Sequence, residues 1–250
     1  MTRMLNWLTH LAIILQLNDC VFCQQATRSL TGICDVCSEQ LPRMFPRSYQ
    51  HVLLSHAPQF AAHMLKRQRL CISVWRYRQS IRWLLNRYKE GGNSHWSRLL
   101  ALQLSAQIIF AYRYHGLALP DCLVAMPCTE SDWLQRGFHP AGLITYECGR
   151  LLNIEVVKRG LYWIKRVEKQ KRVGRQQRWL NRLDAIRATR ALSDRSIAVI
   201  DDICTTGASL CAASEAVYRV GACTVDVWSL AYNPRQSRSD TSLLDLSALE

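Results

Sequence analysis

Residues 197–209 read Ile-Ala-Val-Ile-Asp-Asp-Ile-Cys-Thr-Thr-Gly-Ala-Ser, and no other stretch constrains the fold as tightly. Ile197 to Ile200 form an unbroken apolar run, the pattern of a strand buried on both faces in a parallel sheet. Asp201 and Asp202 close that strand. Thr205, Thr206, Gly207, Ala208 and Ser209 then make a turn of small residues, and Leu210 to Val220 has helical spacing. A strand, a small-residue turn and a helix N-terminus make an anion site, because the first N–H groups of the helix lack partners and the dipole points at the turn. Gly207 lets the backbone approach a phosphate closely, and the Thr and Ser hydroxyls add donors. The paired carboxylates beside it need hydroxyl groups or a metal. A phosphate next to a vicinal diol describes a ribose 5-phosphate.

This segment resembles the phosphoribosyl-pyrophosphate (PRPP) motif of type I phosphoribosyltransferases, in which hydrophobic residues precede two acids and a Thr-Thr-Gly turn. Cys204 stands where a larger aliphatic residue is common, and cysteine behaves as a small buried hydrophobe. The resemblance implies that Asp201 and Asp202 are the catalytic carboxylates. They would hold the ribose hydroxyls directly or through Mg2+, a hard cation that prefers oxygen ligands. Thr205, Thr206, Gly207, Ala208 and Ser209 would cradle the 5-phosphate. An ordinary strand–turn–helix crossover is the competing reading, disfavoured by the register of the acids, threonines and glycine.

A second signal lies near the N-terminus. Cys20-Val21-Phe22-Cys23 and Cys34-Asp35-Val36-Cys37 are two C-x-x-C pairs separated by ten residues. Two such pairs supply four thiolates for a structural tetrahedral zinc ion, with Thr31 and Gly32 suited to a turn between the knuckles. A disulfide framework is the alternative, but an odd total of eleven cysteines fits a reducing compartment better. The other cysteines are scattered and read mostly as small core residues.

Met4 to Leu17 is interrupted by Asn6 and His10, has no small-residue cleavage site after it, and is too short to span a membrane. Leu5, Leu8, Ala12 and Leu15 share a helix face. The expectation is a cytoplasmic protein without membrane insertion, with residues 1–45 forming an N-terminal helix and four-cysteine zinc module and residues 46–250 the main domain. Within that domain, strands expected at 71–75, 122–126, 156–157 and 222–231 alternate with helical patterns at 81–88, 99–112 and 141–152. Alternation of this kind implies an α/β fold, a mostly parallel sheet with helices on both faces. Ligands of such sheets bind outside the C-terminal ends of the strands.

A four-cysteine module joined to a PRPP motif resembles the ComF/GntX family, associated with bacterial natural competence and the use of external DNA. The resemblance covers nearly the whole chain. Ile81 to Lys89 is similar to the family's helix ending in Lys-Tyr-Lys, and Gln135-Arg136-Gly137-Phe138-His139 to its Arg-Gly-Phe-Asn-Gln element. It implies a type I phosphoribosyltransferase-like domain, Arg136 as a substrate-binding residue that neutralises the leaving pyrophosphate, and a helicase-like DNA uptake motor as partner. Met126 to Asp132 departs from the family's Val-Pro-x-His pattern, because Glu130 and Asp132 replace basic residues where phosphates favour cations. Residues 158–175 resemble the flexible loop that closes over substrate, although the family's Gln/Arg pattern is only loosely kept.

Charge is an independent clue. The chain carries a formal +13. Between Arg150 and Arg195 fourteen Lys/Arg face four Asp/Glu, with Tyr162, Trp163 and Trp179 interleaved. Cations neutralise a phosphate backbone and aromatic rings stack on unpaired bases, which describes a single-stranded DNA site; an Arg-rich solvated helix face fits the same composition. Two functions therefore stay open: a DNA-uptake factor that binds PRPP or a ribose 5-phosphate, and a phosphoribosyltransferase acting on an acceptor that no residue identifies.

Overall fold

The computed structural model describes residues 18–29, 31–45, 68–90, 94–164, 185–205 and 207–233. The helix expected at 4–17, Thr206 and most of the basic segment, including Trp179, lie outside the described residues. So does 46–67, which begins at the expected domain boundary.

Among the described residues the main sheet has five parallel strands: β3 (Cys71–Arg76), β4 (Cys122–Ala125), β5 (Glu155–Val156), β8 (Ser196–Cys204) and β9 (Thr224–Tyr232). Their order across the sheet is β3-β9-β8-β4-β5. Two-residue strands β1 (Asn18–Asp19) and β2 (Ala26–Thr27) flank the first cysteine knuckle, and α1 (Asp35–Glu39) follows the first cysteine of the second. A short antiparallel ribbon joins β6 (Leu161–Trp163) to β7 (Ile186–Ala188).

Helices α2 (Gln79–Lys89), α3 (Ser97–His115) and α5 (Pro140–Leu152) cover one face of the sheet. α2 buries Ile81, Leu84, Leu85 and Tyr88, the stripe that a 3.6-residue period aligns on one side. α5 starts on Pro140, whose missing N–H costs nothing in a first turn. α6 (Ala208–Arg219) and the β6–β7 ribbon cover the other face. The fold class read from the sequence, α/β with a mostly parallel sheet between helices and a small four-cysteine module, is the one observed. Cys20, Ile33 and Leu41 of that module share a hydrophobic cluster with Trp75 and Leu100, and Arg43 forms a bridge to Trp75 of β3.

Several elements differ from the sequence expectation. β8 runs on to Cys204, two residues past the acids that close it in the sequence reading. The residues of the final strand alternate in polarity around 222–231, the pattern of a half-buried strand, but β9 is buried over nearly its whole length. Two of its buried polar residues, Asp226 and Ser229, are paired internally. Ser229 hydrogen-bonds Ser73, and Asp226 accepts from Leu70 N at 2.9 Å, from Tyr112 and from the Arg69 guanidinium. Buried charge is tolerated only with such partners. The β6–β7 ribbon and the short helix α4 (Glu130–Arg136) were not anticipated, because three-residue strands are too short to display a period. Among the described residues no helix is long and apolar enough to cross a membrane.

Candidate functional site

Chain direction across the sheet changes between β8 and β4. From β4 the chain passes through α5 to β5 at one edge; from β8 it passes through α6 to β9 on the opposite side. The two crossovers diverge, so the C-terminal ends of β4 and β8 open onto a crevice, the position where such sheets take ligands. Asp201 and Asp202 stand at that opening, one step beyond the pairing of Ala125 with Ile200. Met126 N donates to Ile200 O at 2.8 Å and ties the loop after β4 to the same edge.

The turn after β8 leads directly into α6. Gly207 is its N-cap with φ of 72°, a left-handed conformation that a side chain resists. Gly207 and Ala208 are buried, Ser209 is partly buried and Thr205 is exposed. The first N–H groups of α6 thus face the end of β8, the geometry of an anion-binding helix start.

The carboxylates are electrostatically distinct. Asp201 Oδ1 accepts the N–H of Asp202 at 2.9 Å. Burial, then the neighbouring Asp202 charge, push the Asp201 carboxyl up from 3.8 to about 7, against the opposing pull of Lys89. Asp202 pairs with the Lys89 ammonium at 2.8 Å. Lys89 closes the last turn of α2, and the sequence reading gave it no role in the site. A basic residue in a last helical turn is an ordinary complement to the helix dipole, so only the three-dimensional position marks it.

The loop after β4 forms the opposite wall. Thr129 caps α4, accepting from Asp132 N at 3.1 Å. Arg136 pairs with Asp132 at 3.2 Å, so its guanidinium is engaged within its own helix. His139 Nε2 donates to Met126 O at 2.9 Å, since a carbonyl can only accept. Burial lowers the His139 pKa. Phe138 packs edge-on against Tyr88 at 5.6 Å, and Tyr88 OH donates to Pro140 O at 2.9 Å. Trp163 Nε1 donates to Pro127 O at 2.8 Å, which fastens the β6–β7 ribbon to this wall. That ribbon bounds residues 165–184, so the basic segment leaves and rejoins the described structure beside the crevice. Neither Trp163 nor Tyr88 was a sequence candidate for this wall.

The second candidate site is the cysteine module. The sulfur atoms of Cys20, Cys23, Cys34 and Cys37 all lie within 4.8 Å of one another, with Cys23 and Cys34 at 3.7 Å. Four sulfurs about 2.3 Å from a common zinc ion would sit about 3.8 Å apart, so the set fits the metal. Backbone N–H groups of Cys34 and Cys37 point at the sulfurs of Cys20 and Cys34, at 3.4 and 3.5 Å. Burial opposes ionisation of Cys20, but N–H donors from Cys23, Cys34 and Phe22 outweigh it and bring the thiol down to about 6. Ligand thiols must be deprotonated; the surroundings of Cys20 favour its thiolate, whereas the neighbouring sulfurs push Cys37 up to about 12, a cost that a bound cation would relieve. Among the remaining cysteines, Cys71, Cys122, Cys148, Cys204 and Cys211 are buried, as core residues should be.

Two outcomes follow from this geometry. Cys34→Ser removes a central sulfur and should leave less than about half of the zinc that the parent retains, measured by atomic emission on dialysed protein. Unchanged zinc content would exclude the site. For Asp201, folding takes up a proton wherever pH lies between the unfolded and folded pKa values. Stability attributable to this group is complete below about 4 and is lost as pH rises towards about 7. Asp201→Asn should therefore flatten the fall of melting temperature between pH 4 and pH 7.

No family model matches the chain. It is 25% identical to DNA utilization protein YhgH of Shigella flexneri over 227 residues, which is 90% of this chain and 96% of that protein. The same figures hold for DNA utilization protein YhgH of Escherichia coli strain K12. Competence protein F of Haemophilus influenzae is 24% identical over 220 residues, 85% of this chain and 96% of that one. A solved structure described as the allosteric regulatory enzyme of purine biosynthesis overlaps with a TM-score of 0.34 and 16% identity, over 53% of this chain and 25% of that chain; nothing below depends on it. The curated relatives, matched almost end to end at about 25% identity, are proteins named for DNA utilization and competence, and over nearly its whole length this chain is similar to them.

Proposed function

We propose that this protein binds PRPP, or a ribose 5-phosphate, at the crevice between β8 and β4 and serves the use of external DNA in the cytoplasm. The observation that carries the reading is the joining of two carboxylates, at the end of a buried parallel strand, to the glycine-capped N-terminus of α6 at the sheet's switch point. The α6 start supplies N–H donors for the 5-phosphate, together with Thr205, Thr206 and Ser209. Asp201 and Asp202 take the ribose hydroxyls. The two carboxylates also form a reasonable oxygen donor pair for Mg2+, which would supply charge neutralisation for the pyrophosphate when bound.

Transferase activity on an acceptor is the second reading. It is favoured by the carboxylates, which would stabilise positive charge developing at the anomeric carbon. Against it stand the acids of the β4–α4 loop and the engagement of Arg136 with Asp132. The concentration of positive charge between Arg150 and Arg195, and the names of the relatives, support single-stranded DNA as a further partner. A helicase-like uptake motor is the protein partner in this proposal. Residues 1–45 and 46–250 are its two units.

Asp201→Ala combined with Asp202→Ala should weaken PRPP binding by at least a hundredfold in calorimetry, with the circular dichroism spectrum nearly unchanged. Parent-like binding by this variant would refute the site. Pyrophosphate release from PRPP with Mg2+, with and without added acceptors, separates the transferase from the binding protein. For the DNA reading, replacing Lys169, Lys171, Arg172 and Arg175 by Gln should weaken binding to single-stranded DNA and flatten its salt dependence, because fewer counterions are released. Equal losses from replacing Arg67, Arg76, Arg78 and Arg82, which leaves the Arg69–Asp226 pair of the core intact, would leave only nonspecific attraction.

A further inference from the structure

The cation at the centre of the crevice is one that neither the motif nor the loop departures pointed to. Lys89 arises from the last turn of α2, an element far in sequence from the PRPP-type motif, and its ammonium reaches Asp202. The pair is not sealed in the core. The Lys89 side chain retains 22% of its exposure and Asp202 retains 15%, so both line the opening. With most of both side chains removed from water, each charge needs a partner, and an incoming anion can take the place of the carboxylate at the ammonium.

The other cations expected near the leaving group are placed differently. Arg136 is held by Asp132, and Asp132 lies with Glu130 in the first turn of α4, so that helix start presents acids to the crevice. His139, on the same wall, spends its Nε2 proton on Met126 O. Among the described residues, Lys89 is the cation paired with Asp202. A ligand carrying a diphosphate offers it a denser negative charge than one carboxylate does.

We propose that Lys89 is the diphosphate-binding residue of this site, held on Asp202 until a ligand enters. On binding, the ammonium transfers from Asp202 to the diphosphate oxygens, and Asp202 is freed for the ribose hydroxyls. One movement thus supplies the positive charge that the β4–α4 loop lacks and releases the carboxylate that the sugar needs. The proposal rests on the PRPP reading of the crevice and adds to it a residue and a ligand feature: the site distinguishes ribose 5-phosphates that carry a 1-diphosphate from those that do not.

The test compares PRPP, ribose 5-phosphate and inorganic pyrophosphate as calorimetric ligands of the full chain, in the parent, Lys89→Gln and Lys89→Arg. Lys89→Gln is expected to lose at least tenfold in affinity for PRPP and for pyrophosphate. Its affinity for ribose 5-phosphate should stay within about threefold of the parent, and Lys89→Arg should recover most of the loss. Equal weakening towards PRPP and ribose 5-phosphate would overturn the proposal, because it would mean that Lys89 only holds the carboxylates in place. Unchanged PRPP affinity in Lys89→Gln would overturn it as well. Failure of the underlying reading is a separate result, since the parent would then bind neither PRPP nor ribose 5-phosphate. Melting curves of both variants check folding, and Lys89→Arg preserves the charge should Lys89→Gln prove unstable.

Discussion

Strand β8 is paired in parallel on both edges, to β9 from Ser196 to Cys204 and to β4 from Ile197 to Ile200. Everything else that bears on function is positioned by this ladder. Parallel pairing requires crossover connections, and those from β8 and β4 leave in opposite directions. The helices therefore cover the two faces of the sheet but leave the junction of these strand ends open. β8 outruns its pairing with β4, so its last residues are backed by β9 on one side and face the opening on the other. The two acids fall on this overhang.

The crevice contains an electrostatic conflict. The N-terminus of α6 and two carboxylates lie close along the chain, and the charge that suits one disfavours the other. The structure relieves the conflict in two ways. Burial and mutual repulsion raise the pKa of Asp201 to about 7, so that much of its charge is withheld near neutrality. Asp202 keeps a cation partner in Lys89. Both carboxylates are thus compensated without a divalent ion, and both remain at the opening.

The acids after Pro127 have a local explanation. Thr129 is an N-cap, Glu130 and Asp132 occupy the first turn of α4, and Arg136 occupies its last. Acids near a helix N-terminus and bases near its C-terminus complement the dipole, and Asp132 and Arg136 also pair across one turn. What reads in the sequence as a departure from a phosphate-binding loop is, in the fold, a well-formed short helix. Trp163 then anchors the β6–β7 ribbon onto the preceding carbonyl of Pro127, so this wall is braced from two directions.

The sequence by itself determined the buried parallel strand, the acids at its end, the small-residue turn and the paired C-x-x-C knuckles, because each is a local pattern with one dominant physical solution. Four isoleucine, alanine and valine positions in a row cannot sit half-exposed, and a glycine after two threonines meets the left-handed turn before α6 directly. Most helices were legible for the same reason, since a stripe such as Ile81, Leu84, Leu85 and Tyr88 repeats within one segment. The β6–β7 ribbon was not legible, because two three-residue strands far apart in sequence display no period. Nor was the burial of Asp226, whose tolerance depends on Arg69 and Tyr112 arriving from distant elements. Lys89 is the sharpest case. Its position in a last helical turn is local, but its pairing with Asp202 joins residues more than a hundred apart, and only the packing of α2 against the sheet brings their charges within reach.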